Sequence, residues 1–116
     1  MENFEVKRAD QQEVSILRIN GFLDAHTAPK FEQSIQNLVA ENRNNIIVSM
    51  TDLNYISSAG LGVFMGFIEE IREKNGDIKL CGMSPKVFKV FDLLGFPALY
   101  EIFDKEEEAI EKFAVK

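Results

Sequence analysis

Short apolar runs and amphipathic stretches alternate along the chain, with polar or glycine-containing segments between them. Runs rich in valine, isoleucine and leucine predict strands, and apolar residues that recur every three or four positions predict helices. The predicted strands cover residues 4–8, 14–19, 45–50, 77–81 and 98–103. The predicted helices begin near Thr27, Ser58, Ser84 and Asp104, each a residue whose side chain can cap a helix.

Strands that alternate with helices through short connections indicate right-handed crossovers and a mostly parallel sheet. Residues 4–8 and 14–19 are separated only by a polar turn, so they predict an antiparallel pair. The predicted fold is therefore α/β, a mostly parallel mixed sheet of about four to five strands with an antiparallel N-terminal strand and about four helices. Without a linker or a repeat, residues 1–116 are predicted to form a single domain.

Two helices carry patterns specific enough to test. In the last helix, Asp104 and Glu107 have the spacing of a capping box. In the third helix, the apolar stripe predicted to face the core consists of Val87, Phe88, Phe91 and Leu94.

Composition narrows the functional classes. The chain is 46% hydrophobic and 28% charged, as an ordinary globular domain is, and its formal net charge of -6 disfavours nucleic acid and anionic membranes. A single cysteine, Cys81, excludes an intramolecular disulfide and a zinc site made of cysteines, and it fits a reducing, cytoplasmic setting. The longest apolar stretch, residues 59–68, is far shorter than a bilayer span, so no membrane insertion is expected.

Sites in parallel sheets lie outside the carboxyl ends of the strands, which here indicates the loops at residues 21–27 and 51–60. The second loop leads into Ser57-Ser58-Ala59-Gly60-Leu61-Gly62. In a purely structural interpretation, one serine caps the helix, and Gly60, Gly62 and Gly66 let the helix approach the sheet closely.

Three kinds of chemistry compete with that interpretation. The glycine spacing resembles a relaxed dinucleotide fingerprint, but no acidic residue ends the next strand to bind a ribose. A hydrolytic Ser58 would need a base, and the only histidine is His26, in the other loop. Asp24, Asp52 and His26 are loop residues that could hold a metal, although such carboxylates usually cap turns.

A serine at a helix N-terminus can also be a modification site. A phosphate there meets unpaired backbone N–H groups and the positive end of the helix dipole. It would add up to about two negative charges to an exposed, partly apolar surface, which suits a binding switch.

The Gly21-Phe22-Leu23-Asp24 turn and the Tyr55-Ile56-Ser57-Ser58-Ala59-Gly60-Leu61-Gly62 segment resemble the STAS domain of bacterial anti-sigma factor antagonists. The similarity extends to Cys81-Gly82-Met83-Ser84-Pro85 and Val90-Phe91-Asp92-Leu93-Leu94-Gly95, and it covers residues 5–113.

This resemblance implies a partner-switching protein. In the family, the unphosphorylated antagonist binds an anti-sigma factor that is also a serine kinase, and so frees the sigma factor. The kinase then phosphorylates the antagonist, and a metal-dependent serine phosphatase resets the cycle. The family's phosphoacceptor corresponds to Ser58, and Asp24 would lie beside it. The family commonly has aspartate where this chain has Ser57, which makes Ser57 the second candidate acceptor.

The resemblance thus predicts a regulator that is not an enzyme, without catalytic residues, cofactor or metal, and a monomer or weak dimer. The residues predicted to contact the partner are Phe22, Asp24, Tyr55, Ser57, Ala59, Gly60 and Leu61. For Leu61, as for Phe64, the helical spacing favours a place in the core over the contact surface. One alternative is a constitutive STAS adaptor in a transport or signalling complex, without phosphorylation. Another is a small serine hydrolase or nucleotide-binding protein.

Overall fold

The computed structural model describes residues 4–114, so residues 1–3 and 115–116 of the predicted domain lie outside the described part. The strands are β1 (Phe4–Gln11), β2 (Val14–Leu23), β3 (Asn45–Ile56), β4 (Asp77–Cys81) and β5 (Ile102–Phe103). The helices are α1 (Ala28–Ala40), α2 (Ser58–Glu73), α3 (Pro85–Leu93) and α4 (Glu106–Ala114), and a short 3-10 helix spans Phe96–Ala98.

The strands form one sheet in the order β1-β2-β3-β4-β5. β1 runs antiparallel to β2, and every other neighbouring pair is parallel. Strands β3, β4 and β5 each follow a crossover helix, as parallel neighbouring strands require. The predicted α/β fold, with a mixed five-stranded sheet and four helices, is confirmed.

Two apolar clusters hold the layers together. The larger one lies between the sheet and helices α1, α2 and α3, and three buried rings connect these helices. The ring centroids of Phe31 and Phe64 are 5.1 Å apart, and those of Phe64 and Phe91 are 5.8 Å apart. The smaller cluster lies on the other face, where Ala109 of α4 packs on Ile16 and Ile47. The sheet is therefore covered on both faces, which explains the near-continuous apolar runs of its central strands.

β3 is longer than predicted. Residues 51–56, predicted as loop, continue the strand, because β2 also extends and pairs Phe22 with Tyr55 and Leu23 with Ile56. The parallel pairing shifts register twice in this extension, and Gly21 adopts a φ of 95° there. These irregularities interrupt the strand pattern in the sequence.

The predicted strand at 98–103 is wrong over residues 98–101. Gly95 adopts a left-handed conformation, with a φ of 76°, and directs the chain into the short 3-10 helix. Tyr100 then turns inward and stacks on Phe96, with ring centroids 5.4 Å apart. Pairing with β4 begins only at Ile102.

The structure confirms the predicted cap of α3 but not the predicted start of α4 or the full apolar stripe of α3. Ser84 caps α3 as predicted, since its hydroxyl accepts a hydrogen bond from the Val87 N–H at 3.2 Å. The predicted Asp104–Glu107 capping box is wrong: α4 begins at Glu106, and the Lys105 N–H donates to a Glu108 carboxylate oxygen at 3.2 Å. The α3 stripe is also partly wrong, because Val87 and Phe91 are buried but Phe88 and Leu94 are exposed.

Candidate functional site

The two predicted loops meet at one end of the sheet. β2 and β3 end side by side, with Leu23 paired to Ile56. The next peptide continues this contact, since the Ser57 N–H donates to the Leu23 carbonyl at 2.9 Å. The extended parallel pair therefore brings the loop after β2 next to the N-terminus of α2.

Local hydrogen bonds shape the first loop. One Asp24 carboxylate oxygen accepts from the N–H groups of His26 at 2.9 Å and Thr27 at 3.1 Å. Thr27 stands at the predicted capping position of α1, but its hydroxyl makes no cap bond to the helix. It donates instead to the Phe22 carbonyl at 2.8 Å and accepts from the Asp24 N–H at 3.0 Å. Asp24 and Thr27 thus fix the loop beside α2.

The two serines differ in accessibility. Ser57 is the N-cap residue of α2, yet its side chain makes no cap bond. Its hydroxyl oxygen is buried and has no hydrogen-bond partner among residues 4–114. Ser58 is the first residue of the helix and is exposed. The prediction that one of these serines caps α2 is therefore wrong, and Ser58 is the hydroxyl that another protein can reach.

Only one glycine of the motif is explained by close packing. A Cβ atom on Gly60 would lie 2.7 Å from the Leu23 Cγ, so the helix start requires glycine there. A Cβ atom on Gly62 or Gly66 would meet nothing within 4 Å. The close-approach interpretation is confirmed for Gly60 and wrong for Gly62 and Gly66.

An exposed aromatic pair lies at the same end of the sheet as the serines. Phe22 is 48% exposed and Tyr55 is 43% exposed, and their ring centroids are 5.8 Å apart. Their strand neighbours Leu23 and Ile56 are buried under the helices, so by strand alternation the two rings lie on the opposite sheet face. A protein that touches Ser58 and both rings must reach across the end of the sheet.

The residues predicted to contact a partner therefore differ in how exposed they are. Phe22, Tyr55 and Ala59 are exposed, whereas Asp24 and Ser57 are partly buried. Leu61 is 2% exposed and belongs to the main core, so its predicted place on the surface is wrong. Gly60 is also buried, because its backbone packs on the end of β2.

An ion pair lies on the same face of the sheet as the aromatic pair. The Arg18 guanidinium on β2 donates to both carboxylate oxygens of Glu106 at 2.7 and 2.9 Å. Hydrogen bonding to Arg18 holds the pKa of the Glu106 carboxyl below its usual range. Deeper in the same face, burial raises the pKa of the Cys81 thiol to about 11. The pair attaches the start of α4 to the sheet, and sequence periodicity gave no signal for it.

The metal interpretation of the loops has no support. Across residues 4–114, no group of three or more histidine, cysteine or acidic side chains is placed to hold an ion. Among the same residues, no helix has both the length and the apolar character that a membrane crossing requires.

The sheet order and the serine-bearing helix start define a known class of domain. The family model of the STAS domain matches residues 5–109, and the chain belongs to this family. The anti-sigma-B factor antagonist of Listeria monocytogenes is 29% identical over 106 residues, which cover 91% of this chain and 92% of the relative.

Solved structures agree with this assignment. SpoIIAA, described as an anti-sigma factor antagonist in its unphosphorylated form, superposes with a TM-score of 0.82 at 26% identity, covering 97% of this chain and 96% of its own. The Bacillus cell fate determinant SpoIIAA in its phosphorylated form gives a TM-score of 0.73 at 26% identity, covering 96% and 99%.

Proposed function

We propose that this chain is an anti-sigma factor antagonist that is switched by phosphorylation of Ser58. Its unphosphorylated form binds an anti-sigma factor that is also a serine kinase, and thereby releases the sigma factor in the cytoplasm. The observation that carries the proposal is the exposed Ser58 at the start of α2, at the same end of the sheet as the exposed Phe22–Tyr55 pair. The names of the relatives, and the phosphorylated form known for SpoIIAA, support it.

The choice of Ser58 over Ser57 follows from access. A kinase must bring the γ-phosphate of ATP to the acceptor oxygen, and the Ser57 oxygen is buried. The Ser58 side chain lies in solvent at the positive end of the helix dipole. A phosphate on Ser58 is therefore accommodated without repacking the core.

The phosphate acts on the partner contact rather than on the fold. It adds a charge of about -1.5 to -2 and three strong acceptor oxygens at the end of the sheet that also exposes two aromatic rings on its other face. Burying that charge against apolar or acidic groups of a partner is costly, so the complex dissociates. A metal-dependent serine phosphatase would remove the phosphate and restore binding.

In this proposal the chain is a substrate and a ligand, not an enzyme. The kinase supplies the base and the nucleotide, and this chain supplies the acceptor.

Intact mass spectrometry tests the proposal. The protein is incubated with ATP and the anti-sigma factor kinase of its own host, as wild type, Ser58→Ala and Ser57→Ala. We expect one added phosphate on the wild type and on Ser57→Ala, none on Ser58→Ala, and removal by the serine phosphatase.

Other outcomes would overturn the assignment. Phosphate on Ser58→Ala but not on Ser57→Ala would move the acceptor to Ser57. Absence of phosphate on the wild type, together with stable binding of the kinase, would favour a constitutive adaptor. Ester hydrolysis that is lost in Ser58→Ala would indicate a hydrolase.

A further inference from the structure

The turn that ends α2 is built on an Asn–Gly pair. Asn75 is exposed and adopts a left-handed conformation, with a φ of 66°. The Asn75 N–H donates to the Arg72 carbonyl at 3.0 Å, and the Gly76 N–H donates to the Ile71 carbonyl at 3.0 Å. These two bonds close the end of the helix. Next to glycine, asparagine is the residue that most readily adopts the left-handed conformation that they require.

The segment before β3 makes glycine necessary at residue 76. A Cβ atom on Gly76 would collide with the backbone carbonyl of Asn44, and the Asp77 N–H donates to the same carbonyl oxygen at 2.9 Å. The fold therefore requires a residue without a side chain directly after an asparagine. This dipeptide is also the one most prone to spontaneous loss of the asparagine amide, because glycine leaves its own backbone nitrogen sterically unhindered.

We propose that Asn75 is a site of spontaneous deamidation, which converts residue 75 to aspartate and isoaspartate. The Gly76 nitrogen forms a bond with the Asn75 Cγ, and the side-chain nitrogen leaves as ammonia together with the Gly76 N–H proton. The resulting succinimide ring then takes up one water molecule. Opening at one ring carbonyl gives aspartate. Opening at the other gives isoaspartate, whose main chain runs through the former side chain and is one methylene longer.

Local opening at the end of α2 controls the reaction. Ring closure requires the Gly76 N–H to leave the Ile71 carbonyl and residue 75 to leave the left-handed conformation. Both changes occur when the last turn of the helix frays. Helix ends open at a far lower free energy than strands in the centre of a sheet, so the folded protein reaches the reactive geometry without unfolding.

A second Asn–Gly pair provides the comparison. Asn20 and Gly21 lie in β2, where each is paired with β1 on one side and with β3 on the other. Closing the ring there requires separating strands of the sheet, which is a much larger opening. We therefore expect Asn75 to deamidate at least about tenfold faster than Asn20 in the folded protein, and the two to react at similar rates in the unfolded chain.

The isoaspartate product does not fit the turn. It lengthens the main chain at the point where Gly76 lies against Asn44 and Asp77 begins β4. It also adds a carboxylate at the negative end of the α2 dipole, so the deamidated protein should be less stable. Ser58 lies about 24 Å away, at the start of the same helix. Deamidation does not depend on the proposed phosphorylation switch.

Peptide mapping of aged protein tests the proposal. Wild-type protein is kept at mildly alkaline pH, folded and in parallel unfolded in guanidinium chloride, and is then cleaved after glutamate at mildly acidic pH. Cleavage releases residues 14–32, whose only asparagine is Asn20, and residues 74–101, whose only asparagine is Asn75. Mass spectrometry detects the exchange of ammonia for water, and an isoaspartate methyltransferase labels the longer main chain. We expect both signals in residues 74–101 of the folded protein, at least about tenfold ahead of residues 14–32.

Asn75→Gly is the matched control, because glycine also adopts the left-handed conformation and has no side-chain amide. Residues 74–101 of this variant should gain no mass, and ageing should lower its melting temperature less than that of the wild type. The proposal is overturned when Asn20 reacts as fast as Asn75 in the folded protein, or when both react only after unfolding. It is equally overturned when aged Asn75→Gly loses as much stability as the aged wild type.

Discussion

Alanine substitution at the three glycines of α2 should change stability in opposite directions. At Gly62 and Gly66 a new Cβ atom meets nothing within 4 Å, so only helix propensity changes. Alanine is favoured over glycine in a helix by about 0.8–1 kcal/mol, and the unfolded chain also loses entropy. We expect Gly62→Ala and Gly66→Ala each to raise the free energy of unfolding by about 0.5–1 kcal/mol.

Gly60→Ala has the same propensity gain but a steric cost. Its Cβ atom would lie 2.7 Å from the Leu23 Cγ and 3.1 Å from the Ile56 Cγ1, both in buried side chains. Overpacking of this kind costs about 1–3 kcal/mol, which exceeds the propensity gain. The net expectation is a loss of about 1 kcal/mol, and at most about 2 kcal/mol.

Urea unfolding followed by circular dichroism measures all three variants against the wild type. Thermal melts give a second readout, in which 1 kcal/mol corresponds to about 4 °C for a chain of this size. If Gly62→Ala or Gly66→Ala destabilises the protein as Gly60→Ala does, the outer face of α2 is not open, and the reasoning is refuted.

Three further predictions concern buried or paired groups. Ser57→Ala should change the free energy of unfolding by less than about 0.5 kcal/mol, because the Ser57 hydroxyl has no hydrogen bond to lose. Ser84→Ala removes the cap of α3 and should lower the free energy of unfolding by about 1 kcal/mol. Urea unfolding of both variants compares the two effects. Hydrogen bonding to Arg18 lowers the pKa of Glu106. The stability that the Arg18–Glu106 pair adds to the fold is therefore complete at a pH above the ordinary glutamate pKa of 4.5, and it is lost as the pH falls through the lower folded-state pKa. Acid titration of Glu106→Gln should therefore lack a contribution of about 0.5–1 kcal/mol that the wild type shows. Cys81 is buried with a pKa of about 11, so iodoacetamide at pH 8 should label it only after unfolding; rapid labelling of the native protein would contradict the structure.

Sequence reasoning worked where burial sets the pattern. The core strand segments are nearly continuous apolar runs, and periodicity placed α1 and α2 within a few residues of their observed starts. It failed where tertiary contacts override the local pattern. Asp52 and Asn54 face solvent in the extension of β3, which made a paired strand look like a loop.

The sequence predicted where the candidate site lies more accurately than which of its side chains are exposed. The loops at the strand ends do meet, because parallel strands end at one edge of a sheet. Spacing alone could not distinguish the buried Ser57 oxygen from the exposed Ser58. Helical spacing favoured a core position for Leu61, as the structure shows, and only its assignment to the partner-contact residues was wrong.

The proposed switch requires that phosphate on Ser58 weaken binding to the anti-sigma factor. Isothermal titration calorimetry of the host's anti-sigma factor kinase with the unphosphorylated and the Ser58-phosphorylated protein tests it most directly, with kinase-treated Ser58→Ala as the control. We expect the phosphorylated form to bind at least about tenfold more weakly, a loss of about 1.4 kcal/mol, while Ser58→Ala keeps its affinity. Equal affinities of the two forms would contradict the account.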